Sequence, residues 1–532
     1  MAGPVTGLGL GSQIQAALLR IDTPELRRFQ IEPLGFLKGF GNLVTQPFTA
    51  GGLRMRYEMD NYTDPQALGA NLSRATVVPT PLQQLEMNDW IYTADHFNNF
   101  FTSIVLDDSV EAYVKKMGGD QGGIDSAAAM LLLKSTKDLE HFINMQTVLD
   151  RRNIMGTVVA SAAKSDDATA SGTWTGRYTI AVQLGSDVCH AAFRKGMKLS
   201  ACAPPTSYGG SSDSGTYVGD VYNYTATDAQ ADSEISDHVP LEVVDFPDPN
   251  TVSAALGYAT MTLAIYYDAT SKSAVGTIMD NIVAAVGVVG TGCVLTPYAG
   301  KLAAGSTTKT RGPNFGSCGL LHWMQPFNIE TAGGAVATTA VIKNSAGTTI
   351  SRASGGNFGV MVPKATDHNN ATSISMAAIE SMFISLGFRA GGQTRDLMVL
   401  VNPIVWKALV DGLGTAAQYR VNETPGSALT ERYAKYGVSI CTYQGLGTRP
   451  VVIANDQWWV PPNTVMFVDP SDFSRMAPSE GKWRMHGNGS IWATLRNGDG
   501  KQLMGEQAYY LRPWQMHAAS MFMQGVIKHT KV

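Results

Sequence analysis

The segment from Asp125 to about residue 150 sets Ala128, Leu132, Leu139, Phe142, Ile143 and Leu149 at helical spacing, with Lys134, Lys137, Asp138 and Glu140 at the remaining positions. An apolar stripe of that period predicts one amphipathic helix of about 26 residues, ~39 Å long, capped by Asp125. A helix of that length acts as a scaffold, so the other elements have to be organised around it. At 532 residues the chain exceeds what one ordinary core supports, and two or three packed units are expected.

Ahead of the helix, Leu53-Arg54-Met55-Arg56-Tyr57-Glu58-Met59 alternates strictly between apolar and polar residues, the mark of a strand with two different faces. A turn-rich tip follows from Asp60 to about Ser73, carrying Asp64-Pro65 and Gly69. Val77 to Trp90 is extended again, with Pro79 and Pro81 barring a central strand position. These segments predict a long two-stranded excursion. An isolated hairpin is marginal in water, so this one needs a surface to lie on, either its own domain or another molecule. Residues 1 to 47 read as an arm: a helical stretch from Ser12 to Phe29, broken at Asp22-Thr23-Pro24, then an extended tract through Gly35, Gly39 and Gly41. Asp108, Glu111, Lys115, Lys116 and Gly118 supply start and stop signals for a shorter helix before the long one.

From 157 to about 370 the chain turns rich in Ala, Gly, Ser and Thr, with strand candidates at Tyr178 to Leu184, Met261 to Tyr267 and Ala335 to Lys343. Helices are expected from near Ser186 to Gly196 and from near Ser271 to about Val286, with loop or hairpin material at Ala203 to Ser214 and Thr331 to Asn357. Beyond Ser373, a helix carrying Ile374, Ala377, Ala378, Met382 and Leu386 stops at Gly387, and Leu397 to Val401 forms an apolar strand. Asn402-Pro403 then opens a helix closed by Gly412, Asn being a good cap and Pro suited to the first helical position. Strands follow at Val438 to Cys441, Pro450 to Ala454 and Thr464 to Val468, and Trp483, Trp492, Tyr509, Tyr510 and Trp514 imply a buried aromatic region at the end.

Chemistry is hard to find in this chain. Gly287, Gly290 and Gly292 stand in the order G-x-x-G-x-G, which is not the dinucleotide fingerprint, and no phosphate-loop, H-E-x-x-H or G-x-S-x-G motif occurs. Cys189-His190 is an adjacent thiol and imidazole pair, read as a core cysteine rather than a nucleophile. Nine histidines show no ligand spacing, and five scattered cysteines, none in a C-x-x-C arrangement, argue for reduced thiols rather than disulfides or zinc. Asp107-Asp108 reads as a helix cap and Asp469-x-x-Asp472 as turn chemistry. No catalytic residue, metal ligand or cofactor is assigned, and no enzyme is expected. No secretory signal or membrane-spanning run is visible, which fits a soluble protein of the cytoplasm. A net charge of −4 does not suit a nucleic-acid clamp, while only 16% charged residues, against about a quarter in ordinary soluble proteins, suits a surface covered by partners.

The order of parts, an arm, a long hairpin, a long helix and a compact α/β unit with an aromatic β region at its end, resembles the Hong Kong 97 fold of tailed-phage major capsid proteins. Two passages carry the closest similarity: Val399-Leu400-Val401-Asn402-Pro403-Ile404-Val405-Trp406-Lys407-Ala408-Leu409, and Pro450-Val451-Val452 followed by Pro462-Asn463-Thr464-Val465-Met466-Phe467-Val468-Asp469. Asp138-Leu139-Glu140 also sits where capsid proteins often carry acidic residues. The resemblance covers roughly 40 to 160 and 370 to 532. It implies an α+β chain with an N-arm at 1–47, an E-loop hairpin at 48–100, and a P-domain with its spine helix at 101–160. A β-rich insertion with part of the shell domain would occupy 161–370, an A-domain 371–480, and a return to the P-domain 481–532.

By the same resemblance the chain would assemble with itself, in pentamers and hexamers, into an icosahedral head shell built in the host cytoplasm around double-stranded DNA. Arg20, Arg27, Arg28 and Lys38 of the arm either face that DNA, weakly and without sequence preference, or form a solvated face with Asp22, Glu25 and Glu32. Some relatives carry a long cleaved helical segment before the hairpin; here only a short arm precedes it, so a separate scaffolding protein is implied, alongside a portal and a decoration protein. Other relatives weld the shell through a hairpin lysine, but no Lys occurs between Lys38 and Lys115, so that cross-link is expected to be absent. Arg54, Arg56, Glu58, Asp60 and Asp64 are the candidate inter-subunit contacts, with ordinary exposed charge an equal reading for the first three. An encapsulin-like compartment, a β-rich tail or adhesin protein and an α/β enzyme are the rival classes.

Overall fold

The computed structural model describes residues 43–45, 53–58, 87–92, 98–106, 138, 141–149, 153–168, 176–202, 239–248, 259–286, 293–298, 319–324, 330–331, 335–336, 341–343, 349–351, 364–368, 374–389, 397–413, 440–443, 451–454, 457–477, 482–483, 493–496, 502–518 and 523–529. The chain is α+β. Its first part comprises β1 (Leu43–Thr45), β2 (Leu53–Glu58), β3 (Met87–Tyr92), β4 (Asn98–Leu106) and a helix, α1, over residues 141–148. Next come β5 (Gly156–Ser161), β6 (Ser165–Asp167), β7 (Gly176–Leu184), β8 (Lys198–Cys202), β9 (Leu241–Val243), β10 (Ala259–Tyr267), α2 (Lys272–Val286) and β11 (Cys293–Pro297). A short helix, α3 (Leu320–Met324), precedes two hairpins, β12 (Glu330–Thr331) with β13 (Ala335–Val336) and β14 (Val341–Lys343) with β15 (Thr349–Ser351). The remainder is β16 (Lys364–His368), α4 (Met376–Arg389), β17 (Met398–Leu400), α5 (Pro403–Leu413), β18 (Ile440–Tyr443), β19 (Val451–Ala454) and β20 (Thr464–Val468). It ends with β21 (Phe473–Ala477), β22 (Lys482–Trp483), β23 (Ala493–Arg496), β24 (Gln502–Ala518) and β25 (Gly525–His529).

The middle of the chain closes into a barrel. Strand order β10-β9-β8-β11-β5-β7 returns to β10 through a further β7–β10 pairing, every pair antiparallel, with β6 pairing the start of β7 along the edge whose end β5 takes. Closure removes the exposed edges that an open sheet of this size would carry. Its interior is written as period-two burial: Leu263 lies opposite Ile180, Met261 opposite Val182 and Ile265 opposite Tyr178, all buried. Each fully buried aliphatic side chain of this kind contributes roughly 1.5–3 kcal/mol. A register shift between Val158 and Ala160 bends β5, a device that helps a small barrel close. Helix α2 packs on the barrel through Val275, Ile278, Met279 and Ile282, spaced as one helical stripe. Asp268 starts it by accepting the Thr270 and Ser271 N–H groups at 3.0 and 2.7 Å, and Lys164 ties it to the strand side through Asp280 and the Gly276 carbonyl.

A second, mixed sheet runs β16-β25-β20-β17-β19-β18. Both faces of its centre are buried, which is why Thr464–Val468 reads as an unbroken apolar run. Val399, Val401, Val465, Phe467 and Ile527 meet α4 and α5 on one side, while Met398, Leu400, Met466, Val468 and Val526 join the core shared with α1, α3 and the barrel. Asn402 caps α5 by accepting the Ile404 N–H at 3.0 Å and also donates to the Val460 carbonyl at 2.8 Å, so the cap fixes the loop before β20 as well. Asp469 closes the turn after β20 by accepting the Ser471 N–H at 3.0 Å; Gln524 accepts the Asp469 N–H at 2.8 Å and donates to Asp472 at 2.9 Å, joining that turn to the start of β25.

The third sheet is organised by β24, 17 residues or about 56 Å of strand, which pairs with β4, β21, β22 and β23; β1 adds to β21 in parallel. Residues on either side of the hairpin β2–β3 therefore belong to one sheet, through β1 before it and β4 after it.

Several expectations change. No helix forms from Ser186 to Gly196, only a 3₁₀ turn at His190–Ala192, because the N–H groups a helix needs are claimed elsewhere: Cys189 donates to the Met155 carbonyl at 2.8 Å and Ala191 to that of Trp458 at 3.1 Å. Ala335 to Lys343 is not one strand; it is divided between β13 and β14, which pair within two different hairpins. The final strand β25 does not stay with 481–518 but enters the mixed sheet between β16 and β20, and the barrel begins at Gly156, ahead of 161. Helices α4 and α5 run past Gly387 and Gly412 to Arg389 and Leu413. The arm helix, the Asp108 helix, the start of the long helix, the hairpin tip and the 203–214 loop lie outside the described residues. Among the described residues no helix is long and apolar enough to cross a membrane.

Candidate functional site

Arg54, Arg56 and Glu58 lie on β2, in antiparallel register with β3: Arg54 opposite Ile91, Arg56 opposite Asp89 and Glu58 opposite Met87. Alternate spacing gives the three positions one face of the ribbon. Asp60 and Asp64 lie outside the described residues. Among the described residues β2 and β3 pair only with each other, so the structure brings Arg54, Arg56 and Glu58 together on a ribbon belonging to none of the three larger sheets.

A second surface escaped the sequence reading. A cleft of about 580 Å³ opens where α1, the turn after β7, the loop after β9 and the loop before β20 converge. From α1 comes His141, whose ring lies 5.1 Å from Trp459; from the turn come His190, Phe193, Arg194 and Lys195, with the His190 ring edge-on to Trp458 at 5.2 Å. The β9 loop adds Phe246 and Pro247, and Phe246 is 52% exposed, unusual for so large an apolar ring. Arg194 is held by Asp138 at 2.9 Å. The signals available in the sequence were the doublet Trp458-Trp459 before Pro461-Pro462 and the run Phe193-Arg194-Lys195, but nothing local says that they meet.

Two titratable groups line or underlie this junction. The buried Cys189 thiol donates to the Trp459 carbonyl at 2.9 Å, and burial pushes its pKa well above the usual thiol range, so it is a core cysteine. Burial lowers the pKa of His141 from 6.5 to about 4; the Arg194 charge acts in the same direction, and the Ala192 carbonyl partly opposes both. The unfolded chain therefore takes up this proton before the folded one. Stability is at its full value above about pH 6.5 and drains as the pH falls toward 4, by on the order of 3 kcal/mol. Denaturant midpoints between pH 7 and pH 4 should show this loss, and a His141→Gln variant should lose less over the same interval.

Among the described residues no cluster of His, Cys, Asp and Glu could hold a metal ion. No protein-family model matches the sequence, and no curated protein does. Solved structures do match. The capsid asymmetric unit of cyanophage A-1(L) aligns over 94% of both chains at 9% identity and a TM-score of 0.38. The procapsid of satellite phage P4 with its size-determination protein covers 99% of this chain and 100% of that one at 7% identity and a TM-score of 0.29. Both are phage capsid structures, and the encapsulin SrpI of Synechococcus elongatus also matches, over 31% of this chain and 52% of that one at 10% identity and a TM-score of 0.18. A further match, to Mycobacterium phage Patience, spans 100% of this chain and 90% of that one at 9% identity and a TM-score of 0.31. Scores this low do not carry a domain layout, which has to stand on the strand pairings above.

Proposed function

We propose that the chain is a major capsid protein whose copies assemble into an icosahedral head shell around double-stranded DNA, with a Hong Kong 97-like layout of N-arm, E-loop, P-domain and A-domain. The carrying observation is the β2–β3 ribbon, an excursion between two strands of one sheet that pairs with nothing else among the described residues. A two-stranded ribbon is marginal by itself and gains stability once one face is covered, which a neighbouring copy does in a shell. The sheet built on β24 and the residues 141–148 of the long helix serve as the P-domain, the mixed sheet with α4 and α5 as the A-domain, and the barrel as the insertion. A β-rich adhesin has no use for that helix, whose Met145, Val148 and Leu149 are fully buried. Scaffolding, portal and decoration proteins are the accompanying partners, with packaged DNA touched weakly.

Expression of the chain with and without a scaffolding protein, followed by negative-stain microscopy, tests this reading. Closed particles of uniform diameter are expected. Stable monomers under both conditions, or turnover of a substrate by such monomers, would overturn it.

A further inference from the structure

We propose that the cleft between α1, the turn after β7 and the loop before β20 binds a small organic anion, an aromatic ring system carrying one carboxylate or sulfonate group. The rings of Phe193, Phe246, Trp458 and Trp459 wall it, and among the described residues its cations are Arg194 and Lys195. A volume of about 580 Å³ suits a guest of drug size, most of whose surface such a site would cover.

The walls are fixed before any guest arrives. Ala191 donates to the Trp458 carbonyl at 3.1 Å, the Cys189 thiol to the Trp459 carbonyl at 2.9 Å and the Asn463 N–H to the Ser186 carbonyl at 2.9 Å. The two tryptophans are thereby tied to the turn that supplies Phe193 and Arg194. Val244 and Asp248 donate to the Thr262 and Thr260 carbonyls, each at 2.9 Å, which pins the chain on both sides of the half-exposed Phe246. A site held in this way loses little conformational freedom on binding.

Charge decides the class of guest. Arg194 donates to Asp138 at 2.9 Å through a terminal nitrogen, but among the described residues its buried Nε–H has no hydrogen-bond partner and the exposed Lys195 makes no ion pair. No acidic side chain lines the cleft. A cation would meet repulsion there, a neutral ring would leave the positive end unanswered, and an anion gains charge-assisted contacts while its ring lies on the aromatic walls. A nucleotide is a poorer match, because walls so short of donors and acceptors would leave the polar edge of its base unpaired.

The test titrates anilinonaphthalene sulfonate into the full-length chain, read by dye fluorescence and by energy transfer from tryptophan. Saturable binding of one dye per chain is expected, weakened about tenfold by Lys195→Glu and about tenfold by Phe246→Ala. Both side chains are exposed, so melting temperatures should stay close to wild type and folding does not confuse the comparison. Phenylnaphthylamine, the same ring system without the sulfonate, should bind about tenfold more weakly than the sulfonate. Equal affinity for the two dyes, absence of saturable binding, or binding that survives both substitutions would overturn the proposal, as would displacement of the dye by a thymidine oligonucleotide at lower concentration than by naphthalene sulfonate. The site does not rest on the capsid reading, so a chain that forms no particles leaves it standing, and loss of the site leaves the shell unaffected.

Discussion

Replacing Gly319 by alanine is expected to cost about 3 kcal/mol and to lower the melting temperature of the unit around α1 by roughly 5–10 °C. Gly319 sits at the start of α3, directly against the end of α1: a β-carbon there would lie 2.6 Å from the Gln146 carbonyl oxygen, 2.7 Å from that of Thr147, and closer still to that of Leu149. These are backbone atoms in the last turn of a helix, where carbonyls have no partner within the helix, and unlike a flexible side-chain end they cannot turn aside. The strain can be relieved only by moving α3 away. That movement would withdraw Leu320, Trp323 and Met324 from the core they share with Met145, Val148 and Leu149. Gly276 provides the control, because a β-carbon there meets nothing nearer than the Lys164 ammonium and Tyr178 hydroxyl, both at 3.4 Å. Gly276→Ala in the interior of α2 should be neutral or stabilise by up to about 1 kcal/mol. Thermal unfolding followed by circular dichroism would separate the two; equal melting temperatures for wild type and Gly319→Ala would contradict the packing described.

Elements whose burial follows the local period were legible in the sequence. Thr464–Val468 coincides with the expected strand, β7 and β10 contain theirs, and α5 begins where Asn402-Pro403 requires. Barrel closure was not legible, because it depends on β9, three residues long, and on a β7–β10 pairing across the chain between them. Nor was β24, a 17-residue strand that spans Gly505 and Pro513 and is paired on both sides for much of its length, because both residues are poor strand formers. The Ser186 segment shows the converse: its local helix signals lose to hydrogen bonds offered by Met155 and Trp458, which no local pattern reveals. The same limit hid the cleft. Trp458-Trp459, Phe193 and Phe246 become a surface only after the barrel and the mixed sheet have packed on α1.

Deleting residues 60–73 should abolish particles and leave the fold intact. The excised residues lie between the paired segments Leu53–Glu58 and Met87–Tyr92, so both strands keep their ladder and the connection is merely shortened. Shortening a long loop changes closure entropy by well under 1 kcal/mol, so far-UV circular dichroism and melting temperature should be close to those of the full chain. Assembly responds differently. Apolar area hidden at a contact contributes roughly 25 cal/mol per Å² before the costs of association, so losing even 100–200 Å² weakens each contact by about 2.5–5 kcal/mol. Each 1.4 kcal/mol is tenfold in an association constant, and a closed shell repeats the loss at every subunit, which places the threshold concentration for assembly beyond reach. Sedimentation velocity should show only small species, and microscopy no closed particles. Normal shells from the deleted chain would mean that the hairpin tip is not an assembly element, whereas an unfolded product would mean that it belongs to the core of its own subunit; either result would withdraw the assignment of the β2–β3 excursion to the neighbouring copy.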